Sequence, residues 1–441
     1  GYLDTTGKVR IAAVFQNAKP FLNEIAIVSC GEDKWGAVNI HEEEVLPCEY
    51  DEVGFLENTN NEVLRIYKRE SRYGLIDTLG RMAVKAVYEE CGGFSENRLA
   101  VRRKGLWGFV NQDGMEIISC RFRKVGRFSE GLASVQMGPR WGFIDKQGNV
   151  QVPCEFLRTG DFHEGLAPVQ MPKGFNYIDK TGTLWIHQNF DRAYNFQQGV
   201  ARVVEEGNYG VVDKRGKWVI RPNKYTLIEP FNRYGIAVVR YGSERVRYGI
   251  VNRKGQQLAG GFREIQPFRE GLAAVKTNDG YGFIDTTGNM VIKDNFTDVS
   301  AFSEGSAAVR EGGQCGYIDH SGNWIVPPSY YKCLDFKNGK AVVYTDPAST
   351  GLIDREGREV IEPSIDRLLD FSNGRGLVQE SRYKFYYITE QADMSNGYYS
   401  EARKFEHGIA VVSVDDKWGV INQQGMEIIP PKYDRIEHFE D

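Results

Sequence analysis

The sequence predicts an all-β repeat fold, and three observations lead to this prediction. First, a phrase of aromatic, Gly, hydrophobic, Ile or Val, and Asp or Asn recurs about every 34 residues, as at Trp107–Asn111, Trp141–Asp145 and Tyr281–Asp285. Second, other positions recur in step with this phrase. Third, no window has a sustained 3.6-residue periodicity, and 49 glycines disfavour long helices. A fixed period of this size indicates one supersecondary unit that is stacked many times.

The Gly of the phrase, or its substitute, marks thirteen unit starts along the chain. These are Gly1, Gly36, Gly74, Gly108, Gly142, Asn176, Gly210, Gly249, Gly282, Gly316, Gly351, Tyr386 and Gly419. No interval is long enough to hold an unrelated domain. We therefore predict a single array of about twelve units over residues 1–441, with degenerate units near 176–208 and 381–417. The chain opens inside a unit, so we expect upstream residues in the natural protein.

Each unit is predicted to contain three short strands. Strand a is the Leu-Ala-x-Val run, as at Leu132–Val135, and it follows a turn of the type Phe-Ser-Glu-Gly, as at Phe128–Gly131. Strand b is the repeated phrase itself, as at Trp141–Asp145. Strand c follows it, as at Asn149–Pro153. The Asp-x-x-Gly link from b to c suits a type I turn closed by a Gly of positive φ.

Strand b is apolar on both faces, so we predict that it is the buried central strand. Its aromatic position holds Trp35, Trp107, Trp141 and Trp418, which we expect to pack in the core between units. We predict short antiparallel meanders wound into an elongated β-repeat superhelix, a solenoid. The alternative is a β-propeller, although about 34 residues is short for a four-stranded blade.

These residues and their spacing resemble the WG-repeat family (WG containing repeat), which is found mainly in bacterial proteins. The Trp-Gly pair is complete at Trp35, Trp107, Trp141 and Trp418, and Tyr replaces Trp in other units. The resemblance covers essentially the whole chain. It implies an all-β repeat scaffold for interaction and supplies no shared catalytic residues.

The net charge of −5 gives the chain no general attraction to nucleic acid, so a nucleic-acid partner is not expected. Cations are nevertheless concentrated in one segment, and residues of successive units could meet there by stacking. The candidate contacts for an anionic partner are Arg102, Arg103, Lys104, Arg121, Arg123 and Lys124. The alternative is an ordinary solvated face.

Surplus aromatic residues mark a second candidate surface, in the degenerate unit between residues 381 and 400. The candidates for an interface are Tyr383, Tyr386, Tyr398 and Tyr399. The alternative is a repeat that has drifted from the pattern.

The seven cysteines are predicted to be free. Cys48, Cys120 and Cys154 share one position of the repeat, and no Cys-x-x-Cys pair is present. Unpaired thiols favour the cytoplasm, with the periplasm or cell surface as the alternative. The histidines do not have the spacing of metal ligands, so neither a metal nor a cofactor is expected.

For function, we predict a non-enzymatic repeat scaffold that binds a protein or cell-envelope partner. No apolar run approaches 18 residues, so no membrane span is expected. Two alternatives stay open. One is a carbohydrate-binding module with exposed aromatics, and the other is an enzyme with a pocket at a degenerate repeat.

Overall fold

A computed structural model describes residues 1–4, 8–22, 24–31, 33–57, 63–76, 82–186 and 188–437. Within these ranges the secondary structure consists of 49 β-strands, which form thirteen small antiparallel sheets. Eleven of the sheets have four strands, one has three and one has two. The prediction of an all-β repeat array is confirmed.

The first five sheets are β1–β2, β3–β6, β7–β10, β11–β14 and β15–β18. Their strands are β1 (Tyr2–Leu3), β2 (Val9–Ile11), β3 (Asn17–Leu22), β4 (Ile25–Gly31), β5 (Lys34–Asn39), β6 (Glu44–Tyr50), β7 (Glu52–Glu57), β8 (Val63–Arg69), β9 (Arg72–Ile76), β10 (Met82–Tyr88), β11 (Glu90–Ser95), β12 (Arg98–Arg103), β13 (Leu106–Val110), β14 (Glu116–Phe122), β15 (Lys124–Ser129), β16 (Leu132–Met137), β17 (Arg140–Asp145) and β18 (Val150–Phe156).

The next four sheets are β19–β21, β22–β25, β26–β29 and β30–β33. Their strands are β19 (Arg158–Thr159), β20 (Leu166–Met171), β21 (Gly174–Asp179), β22 (Arg192–Ala193), β23 (Val200–Glu205), β24 (Asn208–Asp213), β25 (Trp218–Tyr225), β26 (Leu227–Ile228), β27 (Ile236–Tyr241), β28 (Arg247–Asn252), β29 (Gln257–Phe262), β30 (Glu264–Ile265), β31 (Leu272–Lys276), β32 (Tyr281–Asp285) and β33 (Met290–Phe296).

The last four sheets are β34–β37, β38–β41, β42–β45 and β46–β49. Their strands are β34 (Asp298–Val299), β35 (Ser306–Glu311), β36 (Gln314–Asp319), β37 (Trp324–Tyr330), β38 (Lys332–Cys333), β39 (Lys340–Tyr344), β40 (Thr350–Asp354), β41 (Glu359–Ile365), β42 (Arg367–Ser372), β43 (Arg375–Ser381), β44 (Lys384–Ile388), β45 (Met394–Tyr399), β46 (Glu401–Ala402), β47 (Ile409–Val414), β48 (Lys417–Asn422) and β49 (Glu427–Tyr433).

The prediction of three strands per unit is wrong, because most units have four. The extra strand is β15 in the example unit, and it contains the Phe of the Phe-Ser-Glu-Gly segment. Only Glu130 and Gly131 form the turn to β16, both with positive φ (52° and 88°). Many neighbouring strands are connected by only one or two residues, so four strands of about six residues fit into one period.

The turn between strands b and c forms as predicted. The Asp145 carboxylate accepts hydrogen bonds from the backbone N–H groups of Gln147 (2.9 Å) and Asn149 (2.8 Å). Gly148 closes the turn with a φ of 88°. The recurrent Asp or Asn therefore serves the turn.

Neighbouring sheets pack face to face through the recurrent Phe. Phe162 of one unit meets Phe143 on strand b of the preceding sheet, with ring centroids 4.7 Å apart and planes inclined at 64°. The same edge-on pair recurs between Phe109 and Phe128, at 4.9 Å. Both members of each pair are almost fully buried. The Phe position is therefore conserved within the repeat because it forms the hydrophobic contact between sheets.

In several units, the Glu of the Phe-Ser-Glu-Gly segment links its sheet to the next. Glu130 accepts the N–H of Gly165 (2.9 Å) and forms an ion pair with Lys180 (3.2 Å), both in the following unit. Burial raises the pKa of Glu130, but the Gly165 N–H and Lys180 outweigh it and hold the pKa below its ordinary value. Glu164 repeats the arrangement one unit on, with Gly199 and Lys214.

The two ends of the array are in contact. Leu3 of β1 packs against the hydrophobic cluster of Val411, Val420 and Ile429 in the last sheet. Such a contact is expected of sheets arranged in a ring, as in a β-propeller, and not of an elongated superhelix. The propeller alternative therefore fits the structure, and the elongated solenoid is not confirmed.

The unit that begins at Asn176 departs from the others. In a regular unit a Cβ on the index Gly, as at Gly142, would collide with the Val152 carbonyl of strand c. Asn176 carries a buried side chain at this position. Its sheet retains three strands, and the described residues of the segment that should supply strand c form the isolated bridges Ile178–Leu184 and Phe175–Phe190 in place of a strand.

Two disulfides overturn the prediction that every cysteine is free. Cys30 and Cys48 are bonded within sheet β3–β6, with Cα atoms 5.9 Å apart. Cys315 and Cys333 join two neighbouring sheets, with Cα atoms 6.0 Å apart. The shared repeat position accounted for Cys48 but not for Cys30, and it did not reveal the two pairs, which have the same sequence separation of 18. The inference of a cytoplasmic location from unpaired thiols therefore loses its basis.

No helix in the described part of the chain is long and apolar enough to cross a membrane.

Candidate functional site

A cleft between the sheets β11–β14 and β15–β18 gathers cationic and aromatic side chains. We call it the basic-aromatic cleft, and its volume is about 480 Å³. Its lining residues are Glu90, Arg102, Gly105, Trp107, Arg123, Lys124, Val125 and Trp141. Half of the six cations named from the sequence thus lie around one opening, as stacking of successive units allows.

Local strand geometry places these side chains. Arg102 on β12 lies directly opposite Trp107 on β13 in the antiparallel register. Arg123 occupies the single residue between β14 and β15, where its N–H donates to the Gln136 carbonyl at 2.9 Å. Trp141 is the second residue of β17 and lies opposite Phe156. The cleft is therefore formed by the a–b hairpin of one unit and the sheet junction of the next.

The charges in the cleft are only partly balanced. The Arg102 guanidinium forms an ion pair with Glu90 at 2.8 Å and approaches Glu89 at 3.6 Å. Arg123 and Lys124 are exposed, and within the described ranges neither forms an ion pair with a carboxylate. These two cations give the cleft its positive charge.

The other three predicted cations serve different purposes. Arg103 pairs with Glu116 at 2.6 Å. Lys104 lies in the tight turn after β12, with a φ of 53°. Arg121 donates to the Gly148 carbonyl of the next sheet at 2.7 Å, so it contributes to sheet stacking. None of the three lines the cleft.

The prediction that the strand b tryptophans are core residues needs correction. Trp107 and Trp141 pack against the core clusters of their units but remain half-buried. The next three residues of each strand are buried. Each tryptophan is the second residue of its strand, close to the hairpin turn, and its partly exposed ring lines the basic-aromatic cleft.

The four predicted tyrosines divide between surface and core. Tyr383 and Tyr398 are 65% and 47% exposed. Tyr398 makes an edge-on contact with the half-buried Tyr386 at 5.7 Å. Tyr399 is instead a core residue, 8% exposed, because adjacent residues of β45 face opposite sides of the sheet. Tyr399 is therefore removed from the candidate interface.

A second, larger cavity of about 570 Å³ lies beside the degenerate unit near 176–208. Its lining residues are Arg158, Thr159, Gly160, His163, Pro168, Phe175, Ala193, Tyr194, Asn195, Phe196, Gln197, Val200, Arg202, Pro230 and Phe231. A pocket at a degenerate repeat was one of the alternatives predicted from the sequence, without any of these residues. Arg202 was a sequence signal for this cavity. It is charged, whereas the equivalent position of strand a holds Ser134 and Pro168 in the two preceding units.

The titratable groups give no sign of a metal or nucleophile site. Within the described residues no three His, Cys, Asp or Glu side chains are grouped to hold a metal ion. Burial raises the pKa of the Cys91 thiol to about 12 and also raises the pKa values of Cys120 and Cys154. These free thiols are therefore poor nucleophiles at neutral pH.

Among solved structures, the chain is similar to a computationally designed protein, Ika8, with 14% identity and a TM-score of 0.27 over 60% of this chain and 95% of that one. It is also similar to a eukaryotic initiation factor, with 11% identity and a TM-score of 0.32 over 86% and 96%. A third is PorZ, a bacterial surface component of the type-IX secretion system of Porphyromonas gingivalis, with 10% identity and a TM-score of 0.25 over 92% and 72%. At these TM-scores the similarities carry no argument about function.

No curated protein matches the chain. The family model described as "WG containing repeat" matches thirteen segments that together span the chain from end to end. The matched residues are 1–33, 35–60, 73–107, 107–138, 141–171, 177–209, 209–243, 248–281, 281–315, 316–346, 351–381, 397–418 and 418–441. With its repeated Trp-Gly phrase, stacked small sheets and match along the whole length, this chain belongs to the family of WG containing repeat proteins.

Proposed function

We propose that this chain is a non-enzymatic scaffold that binds an acidic protein partner at the basic-aromatic cleft. The supporting observation is that Trp107 and Trp141 present partly exposed rings beside Arg123 and Lys124, two cations without an ion-pair partner in the described residues. Large aromatic rings and arginine are enriched where proteins associate. Unbalanced cations beside them would attract carboxylates of a partner and orient it.

The structural roles of the recurrent residues support a scaffold function. The recurrent Phe, Glu and Asp hold the sheets and turns together, as Phe162, Glu130 and Asp145 do. The groups with shifted pKa values are mainly such structural residues and buried tyrosines. Catalysis would need titratable groups that converge on one cleft, and the basic-aromatic cleft contains a single carboxylate, that of Glu90, which is paired with Arg102.

The two disulfides support a location in an oxidising compartment. Such bonds persist in the periplasm, at the cell surface or outside the cell, and are rare in the reducing cytoplasm. We therefore propose a partner in the cell envelope.

Site-specific photo-crosslinking tests the proposal. A photoreactive amino acid at position 124 is compared with one at position 217, because Lys124 and Lys217 are both exposed cations. In the native host, position 124 is expected to capture a defined protein that position 217 does not capture. The charge-reversed variant Arg123→Glu/Lys124→Glu, purified with a tag, should bind that protein at least tenfold more weakly, since two attractive charges become repulsive.

The matched control is Arg215→Glu/Lys217→Glu, which changes the net charge by the same amount at an exposed turn. Both variants should melt as the natural chain does, because exposed charges contribute little to folding. Equal binding by the two variants, or the same captured protein at both crosslinking positions, would refute a partner site at the cleft.

A further inference from the structure

We propose that the cavity around Arg202 binds a carboxylated sugar, such as a uronic acid unit of an acidic polysaccharide. This Arg202 cavity is the second cavity described above, and its volume of about 570 Å³ suits a small ligand. It lies apart from the basic-aromatic cleft and involves none of its residues. The inference therefore goes beyond the proposed protein-binding function and stands independently of it.

Arg202 is the first reason for the assignment. It occupies a position of strand a where the neighbouring units place Ser134, Pro168, Val238 and Ala274. Its guanidinium donates one hydrogen bond to the Ile228 carbonyl at 2.8 Å and lies 4.6 Å from the centroid of the Tyr194 ring. No carboxylate in the described residues pairs with it. A partly buried guanidinium without a counter-ion, on the wall of a cavity, provides donors for an external carboxylate.

The charges around the cavity are consistent with an anion. Arg158 and His163 both line the cavity, and Arg158 forms no ion pair within the described ranges. The nearest carboxyl on the same segment is Asp161, which does not line the cavity. Burial raises its pKa, and Arg127 and His163 act in the opposite direction. The wall thus carries two arginines and no carboxylate.

The remaining polar groups match hydroxyls. Asn195 and Gln197 add side-chain amides, each of which can both donate and accept.

Aromatic surface completes the site. Phe175 and Tyr194 are half-buried and lie on the cavity wall, so their exposed ring surface can contact the apolar face of a sugar ring. A nucleotide is a poorer match, because phosphate sites commonly use backbone N–H groups at a helix N-terminus or a Gly-rich loop, and the described residues contain no helix. The combination of two arginines, two side-chain amides and aromatic rings on the cavity wall favours a carboxylated sugar.

Titration calorimetry with the full chain tests the inference. The probes are D-glucuronate and D-galacturonate, with D-glucose and D-galactose as neutral counterparts and AMP as the nucleotide. We expect saturable binding of a uronate, at least tenfold tighter than that of its neutral counterpart. The variant Arg202→Gln should weaken uronate binding at least tenfold, whereas Arg215→Gln, at an exposed turn, should bind as the natural chain does.

Arg202 also contacts the Ile228 carbonyl, so Arg202→Gln could lower stability by itself. The variant Asn195→Ala provides a second test, since it removes an amide from the cavity wall. It should weaken uronate binding and leave the melting temperature unchanged. The inference is overturned if neither uronate binds saturably, if the neutral sugars bind equally well, or if AMP binds more tightly. None of these results would affect the protein partner proposed for the basic-aromatic cleft.

Discussion

The edge-on Phe pair between successive sheets gives a quantitative test of how the array is held together. Phe143 and Phe162 are 1% and 0% exposed, with ring centroids 4.7 Å apart. Replacing a buried Phe by Ala generally costs about 3–5 kcal/mol, because apolar contacts are lost and a cavity remains. We therefore expect Phe162→Ala to destabilise the contact between β15–β18 and β19–β21 by about that amount.

A double-mutant cycle isolates the contribution of the ring pair itself. Phe143→Leu and Phe162→Leu keep an apolar side chain, and their combination removes both rings. The cycle should give a coupling free energy of about 0.5–1.5 kcal/mol, the range for aromatic pairs in contact. Tyr383→Ala is the control, since its side chain is 65% exposed and its removal should change stability by less than about 0.5 kcal/mol.

Hydrogen exchange with mass spectrometry is the suitable assay, because a long repeat array can open locally without unfolding as a whole. Peptides from β17 and β20 should lose protection in Phe162→Ala, and peptides from the distant sheet β34–β37 should not. Unchanged protection in β17 and β20, or a coupling free energy within error of zero, would refute the assignment of the Phe to the sheet interface.

Three further predictions follow from individual contacts. The folded-state pKa of Glu130 lies below its ordinary value, so its contribution to stability is present above about pH 4.5 and is lost as the pH falls through the folded pKa. Urea unfolding measured over a series of acid pH values should show this loss, and the variant Glu130→Gln should show a smaller pH dependence. Thiol counting in denaturant without reductant should find three thiols rather than seven, and reduction should lower the melting temperature, since each 18-residue loop closure contributes on the order of 3 kcal/mol. Trp141→Ala should cost less than Phe143→Ala in the same melts, because the indole is only half-buried; an equal loss would place it in the core.

The repeat pattern was sufficient to predict strands a, b and c and the Asp-x-x-Gly turn, because each depends on local residue types. It did not reveal strand β15, since the Phe-Ser-Glu-Gly segment has turn residues on both sides of its Phe. Burial of that Phe depends on Phe143 of the preceding sheet, and such a contact is not local in sequence. The choice between an open and a closed array depends on a still more distant contact, that of Leu3 with the last sheet.

The candidate site was predicted only in part. Arg102, Arg123 and Lys124 could be grouped because they belong to successive units that were expected to stack, and the structure places them around one cleft. Trp107 and Trp141 were predicted to lie in the core, because the apolar sequence of strand b does not show that part of each indole ring is exposed. The importance of Arg202 depends on the absence of a counter-ion around it within the described residues, and this can be seen only when the neighbouring sheets are in place.

Hydrogen exchange of the chain with and without the protein captured at position 124 tests the central claim most directly. Partner binding should protect peptides that contain residues 102–107, 123–125 and 141, which line or adjoin the basic-aromatic cleft, and it should leave residues 213–217 unchanged. The protection should disappear in Arg123→Glu/Lys124→Glu and persist in Arg215→Glu/Lys217→Glu. Protection confined to other sheets, with none around Trp107 and Trp141, would contradict the assignment of the cleft as the binding site.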